Sequence, residues 1–358
     1  MPEFAAIDLG TNSCRMLIAR PEHRIVVGAL PADGAFTVVD GFSRIVRLGE
    51  GLAETGALSP SAMDRTIDAL KVCAGKISAR RPAEIRCVAT EACRRAVNGD
   101  DFVRRVTRET GLRLEIIPPE REAALTLAGC LPLVGAGHDR AILVDIGGGS
   151  TEVQWIEVPK DVSPNADPQD GPARAIDMVS LPFGVVTLAE EFGTGSMPPE
   201  IHEEIINRMS AVLEPFAERN GIGDAVAEGR VQMIGTSGTV TTLGAMHLDL
   251  PRYDRARVDG LVMDFPRIRA LSAKLSELDM AGRRRIPCVG PGRADLMLMG
   301  CALLGGIIRT WPVGKLRIAD RGIREGLLTE MILGHGKPQS LIDRPTTASV
   351  PLSALAAI

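Results

Sequence analysis

The sequence predicts an α/β protein with two domains that face each other across a cleft. Its 358 residues exceed what one hydrophobic core of ordinary size needs, so two domains are expected. Apolar strands alternate with amphipathic helices along most of the chain, which favours sheets with parallel strands. A strand, a glycine turn and a second strand occur twice, at 4–19 and at 141–158. This repeat predicts that each domain carries one copy of the turn.

The two turns share residue types at matching positions. The first is Ile7-Asp8-Leu9-Gly10-Thr11-Asn12-Ser13, and the second is Val144-Asp145-Ile146-Gly147-Gly148-Gly149-Ser150-Thr151-Glu152. Aligning Asp8 with Asp145 also aligns the first glycine and the serine of each turn. Glycines expose backbone N–H groups and allow unusual backbone angles, so each turn is expected to fold around an anion such as phosphate. The alternative is two unrelated tight turns, each capped by an aspartate.

The first half continues after its hairpin with strands and helices in alternation. A helix is predicted from Ser59, an N-cap residue followed by proline, because apolar residues then recur at three- and four-residue spacing up to Ile77. The other expected strands lie within 24–48, at 84–90 and at 112–117, and the other expected helices at 100–111 and 120–131. Ligands bind at the carboxyl ends of strands in open α/β sheets, and Arg94 and Glu122 both follow such ends.

The second half repeats this plan. After a loop at 159–172, rich in Pro, Asp, Asn and Gly, we expect strands at 176–181, 231–234 and 316–320. The expected helices run through 188–192 and over 199–220, 240–246, 266–278 and 296–308, with a last one from residue 322; residues 235–239 form a third glycine turn. The predicted domains are 1–133, completed by 310–336, and 134–309, followed by a flexible tail at 337–358.

The composition excludes several classes of protein. Apolar residues make up 45% and charged residues 24%, with a net charge of −4, which is typical of a soluble globular protein. The most apolar run, 296–308, is too short to span a bilayer, and no signal segment opens the chain, so a cytoplasmic location is expected. An acidic charge and 3% aromatic residues argue against nucleic-acid binding. The seven cysteines contain no CxxC motif and are expected to be buried thiols.

The residue types in the turns predict a phosphate site that also holds a cation. Asp145 and Glu152 place negative charge beside the position expected for a phosphate, which is also negative. A cation is therefore required between these carboxylates and the phosphate. Mg²⁺ fits best, because it prefers one or two carboxylates together with phosphate oxygens and water. The predicted metal-binding residues are Asp8, Asp145 and Glu152. The predicted phosphate-binding residues are Gly10, Thr11, Asn12, Ser13, Arg94, Gly147, Gly148, Gly149, Ser150, Thr151, Ser237, Gly238 and Thr239.

Glu122 and Arg94 are the predicted catalytic and clamping side chains. A carboxylate at the position of Glu122 could take the proton of a water that attacks phosphorus, and Arg94 could hold phosphate oxygens. The alternatives are a first-turn acid that only stabilises its helix, and an arginine that only forms a surface salt bridge.

These motifs together resemble the exopolyphosphatase and guanosine pentaphosphate phosphohydrolase family, a branch of the actin, Hsp70 and sugar-kinase superfamily. Besides the two turns, the resemblance rests on Ala89-Thr90-Glu91-Ala92-Cys93-Arg94, Glu122-Ala123, Ser180-Leu181-Pro182-Phe183-Gly184, Gly235-Thr236-Ser237-Gly238-Thr239, Arg293-Ala294-Asp295 and Asp320-Arg321-Gly322-Ile323-Arg324-Glu325-Gly326. It covers about residues 4–333 of this chain.

The resemblance implies two actin-like (ribonuclease H-like) domains, an active site between them, Mg²⁺ dependence and release of terminal orthophosphate. It places the catalytic glutamate on Glu122, and it also implies a homodimer and leaves open a need for K⁺. The chain departs from the family pattern at Pro118-Pro119, where Ser-Gly is usual, and at Arg121, which interrupts an acidic cluster. A short-form enzyme is implied, without the helical C-terminal region of longer members.

The expected function is Mg²⁺-dependent exopolyphosphatase activity. The alternative at the same site is hydrolysis of the 5′-phosphate of guanosine pentaphosphate (pppGpp). Alternatives of another class are a kinase on the same fold and a non-catalytic module that binds polyphosphate or an alarmone.

Overall fold

The computed structural model describes residues 1–22, 36–135, 137–159, 173–290 and 292–335. The expected loop after residue 159, the expected tail at 337–358 and residues 24–35 of the expected strand region lie outside the described residues.

The first sheet carries the first glycine turn. Its strands are β1 (Phe4–Leu9), β2 (Ser13–Pro21), β3 (Phe36–Ile45), β4 (Glu84–Ala89) and β5 (Leu114–Ile116), in the order β3-β2-β1-β4-β5. The predicted hairpin is confirmed as the antiparallel pair β1–β2, and β4 and β5 extend the sheet in parallel. The helices of this half are α1 (Leu52–Thr55), α2 (Pro60–Arg80), α3 (Glu91–Arg95), α4 (Gly99–Thr110) and α5 (Pro119–Cys130).

The second sheet carries the second glycine turn. Its strands are β6 (Arg140–Ile146), β7 (Thr151–Glu157), β8 (Arg174–Leu181), β9 (Val231–Thr236), β10 (Val262–Asp264) and β11 (Lys315–Ile318), in the order β10-β11-β9-β6-β7-β8. The remaining helices are α6 (Val185–Phe192), α7 (Pro199–Arg219), α8 (Ile222–Ala227), α9 (Ser237–His247), α10 (Arg255–Val258), α11 (Phe265–Glu277), α12 (Met280–Arg285), α13 (Met297–Thr310) and α14 (Ile323–Gly334).

Local sequence signals account for the ends of the best-predicted helix. The Ser59 hydroxyl accepts a hydrogen bond from the N–H of Ala62 at 3.2 Å, and Pro60 occupies the first helical position of α2. This cap satisfies one of the free N–H groups at the start of the helix, as the sequence predicts. The buried face of α2 packs on β2 in the core of the first half.

Each sheet has its own hydrophobic core, and the last helix returns to the first sheet. Leu327 and Leu328 of α14 pack with Phe4 of β1 and Leu125 of α5. The two helices α5 and α14 therefore lie together on the face of the first sheet that borders the second half. This arrangement places the start of α5, with Glu122, beside the cleft.

One strand lies in a different sheet from the one that the sequence-based division implies. The prediction places 310–336 with the first domain, but β11 pairs with β9 and β10 in the second sheet. Leu316 and Ile318 belong to the second core, and a short apolar strand does not by itself specify its sheet. The rest of the division into domains stays a prediction.

The apolar helix at 296–308 is buried within this chain. Most residues of α13 are buried, and the helix packs against α7 and β6. The apolar surface of this helix is therefore covered by the chain itself. No helix in the described ranges combines the length and the apolar character needed to cross a membrane. All seven cysteines are buried free thiols, as expected.

Candidate active site

The two glycine turns fold in the same way. In each turn the N–H of the first glycine donates to the carbonyl oxygen of the serine three residues later, at 3.0 Å from Gly10 to Ser13 and 3.0 Å from Gly147 to Ser150. Each turn also joins two antiparallel strands of its sheet. The alternative of two unrelated turns is therefore disfavoured by their common geometry.

The turns differ in the residue that faces the aspartate across the hairpin. Asp8 is paired with Arg15, whereas Asp145 is paired with Glu152. Directly paired residues of antiparallel strands project neighbouring side chains on one face of the sheet. The first hairpin thus sets a guanidinium beside its carboxylate, and the second sets two carboxylates side by side.

The two turns touch each other across the cleft. A Cβ added to Gly148 would lie 3.0 Å from the Cβ of Thr11, and one added to Gly149 would lie 2.7 Å from the Oγ1 of Thr11. Only glycine permits so close an approach. The cleft between the turns closes around a cavity of about 130 Å³.

Most of the predicted site residues line this cavity. They are Asp8, Gly10, Thr11, Asn12, Ser13, Glu122, Asp145, Gly147, Gly148, Gly149, Ser150, Glu152, Ser237, Gly238 and Thr239. The structure thus brings together residues from both hairpins, from the first turn of α5 and from the start of α9.

Thr151, predicted to bind phosphate, points away from the cavity. It is fully buried, and its Oγ1 donates to the carbonyl oxygen of Phe183 at 3.0 Å. Successive residues of a strand point to opposite faces, so Thr151 and Glu152 cannot both face the cleft. This corrects the prediction: Thr151 supports the hairpin from behind.

Arg94 holds the predicted catalytic residue instead of lining the cavity. Its Nη1 donates to Glu122 Oε2 at 2.8 Å and to the carbonyl oxygen of Ile117 at 2.6 Å, while its Nη2 donates to Glu91 Oε2 at 2.9 Å. Together with a bond from Nε to Glu91 at 3.3 Å, these bonds direct four of the five guanidinium N–H groups to protein atoms. The prediction that Arg94 contacts phosphate is not supported by this geometry, since the sequence cannot tell a phosphate contact from a carboxylate contact.

Glu122 is a buried carboxyl group close to two other acids, Glu152 and Asp145. It is 7% exposed, in the first turn of α5. Burial raises the pKa of Glu122 well above its usual range, the charge of Glu152 adds to this effect, and Arg94 opposes it. A carboxylate whose pKa is raised is a better proton acceptor than an exposed one, which suits a general base.

The carboxylates of the second hairpin are buried and held by hydroxyl groups. Asp145 accepts hydrogen bonds from Ser237 Oγ at 2.5 Å and, more weakly, from Thr126 Oγ1 at 3.5 Å; Glu152 accepts one from Ser180 Oγ at 2.8 Å. Burial raises the pKa of both groups, and that of Glu152 to about 7. Neither forms an ion pair within the described residues. Two neighbouring buried carboxylates without a basic partner fit a bound cation.

The predicted metal-binding set is only partly assembled. In the part of the chain that the structure describes, no group of three or more His, Cys, Asp or Glu side chains is arranged to hold a metal ion. Asp145 and Glu152 supply two adjacent carboxylates, while Asp8 belongs to the other hairpin, beside Arg15. Mg²⁺ needs one or two protein carboxylates when phosphate oxygens and water complete its shell. The donor set therefore fits a divalent cation bound together with a phosphate.

Ser237 acts on Asp145 from a strained position. Its φ of 76° lies in the left-handed region, which a residue other than glycine adopts at a cost of about 1–3 kcal/mol. The hydroxyl group is engaged with Asp145, so the third glycine turn orients a carboxylate as well as lining the cavity.

Two arginines outside the predicted set of site residues also line the cavity, Arg15 and Arg293. The Nε of Arg15 is buried without a hydrogen-bond partner, and Arg293 donates to Thr242 Oγ1 at 3.2 Å. Burial lowers the pKa of Arg293, and the charge of Arg15 lowers it further. Neither forms an ion pair among the described residues. Arg15 could have been found, because it lies two residues beyond Ser13 and so faces the same side of β2.

The two departures from the family pattern lie beside the site and not in it. Arg121 pairs with Glu330 of α14, with its Nη1 at 2.8 Å from Glu330 Oε1, and so makes no phosphate contact here. Pro118 and Pro119 open α5, where the fixed proline backbone suits the first helical positions. The two prolines therefore fix the start of the helix that carries Glu122.

The fold and the site define an α/β enzyme in which two sheets, each with one glycine turn, enclose a small cavity lined by acids and arginines. The chain belongs to the Ppx/GppA phosphatase family, which it matches over residues 28–335.

Individual relatives agree with this assignment. The chain is 30% identical to exopolyphosphatase 2 of Mycobacterium tuberculosis, over 91% of this chain and 98% of that one. It is 29% identical to guanosine-5′-triphosphate,3′-diphosphate pyrophosphatase of Aeromonas hydrophila, over 91% of this chain but only 59% of that relative. Among solved structures, the Aquifex aeolicus member of the Ppx/GppA family superimposes with a TM-score of 0.72 at 27% identity, covering 94% of this chain and 99% of the other.

Proposed function

We propose that this protein is an exopolyphosphatase, which releases orthophosphate from the end of inorganic polyphosphate. The observation that carries the proposal is the small cavity between two turns of different charge, one with an aspartate beside an arginine and one with two carboxylates, and with Glu122 in its lining. A terminal phosphate fits such a site, while the rest of a polymer would extend from the cleft.

In the proposed mechanism, the backbone N–H groups of both turns and the guanidinium groups of Arg15 and Arg293 hold the oxygens of the terminal phosphate. Asp145 and Glu152 would hold Mg²⁺, which neutralises phosphate charge when it is bound. Glu122, oriented by Arg94, takes a proton from a water molecule as the water oxygen attacks phosphorus. The bond to the bridging oxygen breaks, and the shortened polyphosphate leaves with the electron pair.

Hydrolysis of pppGpp at the same site is the second candidate, because the Aeromonas relative is named for that class of substrate. One observation favours polyphosphate. Among the described residues, no aromatic side chain lines the cavity, so none is placed there to stack on guanine. Values of kcat/KM for both substrates, measured side by side with Mg²⁺, decide between them.

Glu122→Gln tests the proposed base. We expect orthophosphate release from polyphosphate to fall about 10²–10⁴-fold, because the amide cannot accept the proton of the attacking water. Glu120→Gln is the matched control, since Glu120 is an exposed acid in the same first turn of α5. Turnover of Glu122→Gln within a few-fold of the unmodified enzyme would rule out this role.

We further propose that the enzyme works in the cytoplasm as a homodimer, which its resemblance to the family supports. Light scattering coupled to size exclusion measures the oligomeric state directly.

A further inference from the structure

A loop of the first half is hydrogen-bonded to the first glycine turn. In the segment 46–49, the N–H groups of Val46 and Arg47 donate to the carbonyl oxygen of Asn12 at 2.9 and 3.0 Å, and that of Gly49 donates to the carbonyl oxygen of Thr11 at 2.9 Å. These bonds fix the segment to the first glycine turn. A displacement of the segment therefore moves the turn as well.

The side chain of Arg47 reaches from this segment to the second half. Its Nη2 lies 2.5 Å from Asp295 Oδ2, and the Asp295 side chain is only 9% exposed. Asp295 precedes α13 and lies between Arg293 and Leu296, both of which line the cavity. The ion pair thus connects the first glycine turn to the segment that carries Arg293.

The backbone at Arg47 is held in an unfavourable conformation. Its φ is 48°, in the left-handed region, where side chains other than glycine are uncommon. Strain of this kind persists only where surrounding contacts enforce it, and it is frequent at clamps and switches. Release of Asp295 would remove one of the contacts that hold Arg47 in this conformation.

A second arginine, Arg283, interacts electrostatically with Asp295. The Oδ1 of Asp295 is buried without a hydrogen-bond partner, and the same is true of Nε and Nη1 of Arg283. Arg283 is fully buried; burial lowers the pKa of its guanidinium, and the charges of Asp279 and Asp295 oppose this. The Nη2 of Arg283 donates to the carbonyl oxygen of Gly195. Buried polar atoms without a hydrogen bond are unfavourable, so Asp295 Oδ1 and the two free nitrogens of Arg283 gain if they meet.

We propose that Arg47 and Asp295 form a latch that holds the cleft closed over the terminal phosphate, and that Asp295 exchanges Arg47 for Arg283 when the cleft opens. Arg47, Asp295 and Arg283 are positioning residues in this scheme, since none of them lines the cavity. The Arg47 bond keeps the first turn and Arg293 at their closed distance. The Arg283 bond compensates the buried Asp295 carboxylate in the open form, so that product can leave.

The latch predicts opposite kinetic effects for its two arginines. In Arg47→Gln the closed form is weakened, so KM for polyphosphate rises about tenfold or more and kcat/KM falls. In Arg283→Met the open form is weakened, so kcat falls because product leaves slowly, and KM falls with it. Arg47→Lys retains the charge and restores part of the loss in Arg47→Gln. Arg80→Gln is the matched control, because Arg80 pairs with Glu3 at 3.4 Å within the first half.

A double-mutant cycle and solution scattering complete the test. We expect Arg47→Gln and Asp295→Asn to raise the radius of gyration of the substrate-free protein in small-angle X-ray scattering, and their effects on kcat/KM to be non-additive when combined. Additive effects, or an unchanged radius of gyration in Arg47→Gln, would overturn the latch.

The latch rests on the proposed function only for the expected changes in KM and kcat, which are measured with polyphosphate. Scattering reports the opening of the cleft whichever phosphate compound is the substrate. A failure of the latch would leave polyphosphate hydrolysis intact, so the two failures are distinguishable.

Discussion

The two glycine turns have one backbone and two electrostatic characters. Gly10 and Gly147 donate to equivalent serine carbonyl oxygens at the same distance, 3.0 Å, within equivalent hairpins. The residue paired with the aspartate is Arg15 in the first hairpin and Glu152 in the second. One scaffold thus offers a partly neutralised surface on one side of the cavity and an anionic one on the other.

This difference assigns separate tasks to the two sides. A guanidinium beside the turn suits the oxygens of a phosphate, whereas paired carboxylates suit a divalent cation. A phosphate between them would be held by cationic groups on both sides. Four predictions test this division of tasks, in order of decreasing effect.

The largest effect is expected from making the first hairpin resemble the second. Arg15→Glu removes a phosphate contact and adds a repelling charge, so kcat/KM on polyphosphate should fall by about 10³-fold, since loss of a single oxyanion donor already costs about 10²–10³. Arg20→Glu, an exposed position on the same strand, is the control for the charge change. A loss below tenfold would contradict a phosphate-binding role for Arg15.

The second prediction concerns the cation side. Glu152→Gln should raise the Mg²⁺ concentration needed for half-maximal activity by about 10–100-fold, because one of two adjacent carboxylates is lost. The Mg²⁺-dependent rise in Tm should weaken in parallel, which reports binding without turnover. Glu157→Gln, at the far end of the same strand, should leave both responses unchanged. An unaltered Mg²⁺ requirement in Glu152→Gln would place the cation elsewhere.

The third prediction compares the glycines. Gly149→Ala should lower kcat/KM about tenfold or more, because its Cβ would meet Thr11 Oγ1 at 2.7 Å and hold the turns apart. In Gly10→Ala the nearest atom to the new Cβ is Ser13 O at 3.7 Å, an ordinary contact, so activity should stay within a few-fold. Equal effects of the two substitutions would show that the closed contact is irrelevant to turnover.

The smallest expected effect is that of Asp8→Asn on the thermal stability of the metal-free protein. Burial raises the pKa of Asp8 from 3.8 to about 6 in the folded protein, against the opposing charges of Arg324 and Arg15. The neutral form is therefore favoured by folding, and this stabilisation is complete below about pH 3.8 and is lost as pH rises through about 6. In EDTA, Asp8→Asn should match the unmodified protein near pH 4 and exceed its Tm by about 2–4 °C at pH 7. A Tm difference independent of pH would exclude this titration.

Much of the fold and the site is predictable from the sequence because its signals are local. The spacing from Asp8 to Ser13 and from Asp145 to Ser150 gives both turns, and the cap at Ser59 gives the start of α2. Side chains alternate between the two faces of a strand, so the position of Arg15 two residues after Ser13 also predicts that both face the same side of β2.

The remaining features depend on contacts between residues far apart in the sequence. The sheet that β11 joins is decided by packing against β9 and β10, which lie far from it along the chain. The role of Arg94 is decided by its distances to Glu91 and Glu122, and a guanidinium binds phosphate and carboxylate equally well in principle.

The sequence by itself determined the two hairpin turns, the acids that follow buried strands and Glu122 in the first turn of its helix. Their backbone geometry and side-chain alternation are set within a few residues. Only the tertiary structure decided which distant charges meet: Arg94 bonds to Glu122, and Arg47 bonds to Asp295. Charge pairing depends on the approach of distant segments, and that approach is set by the packing of the two halves.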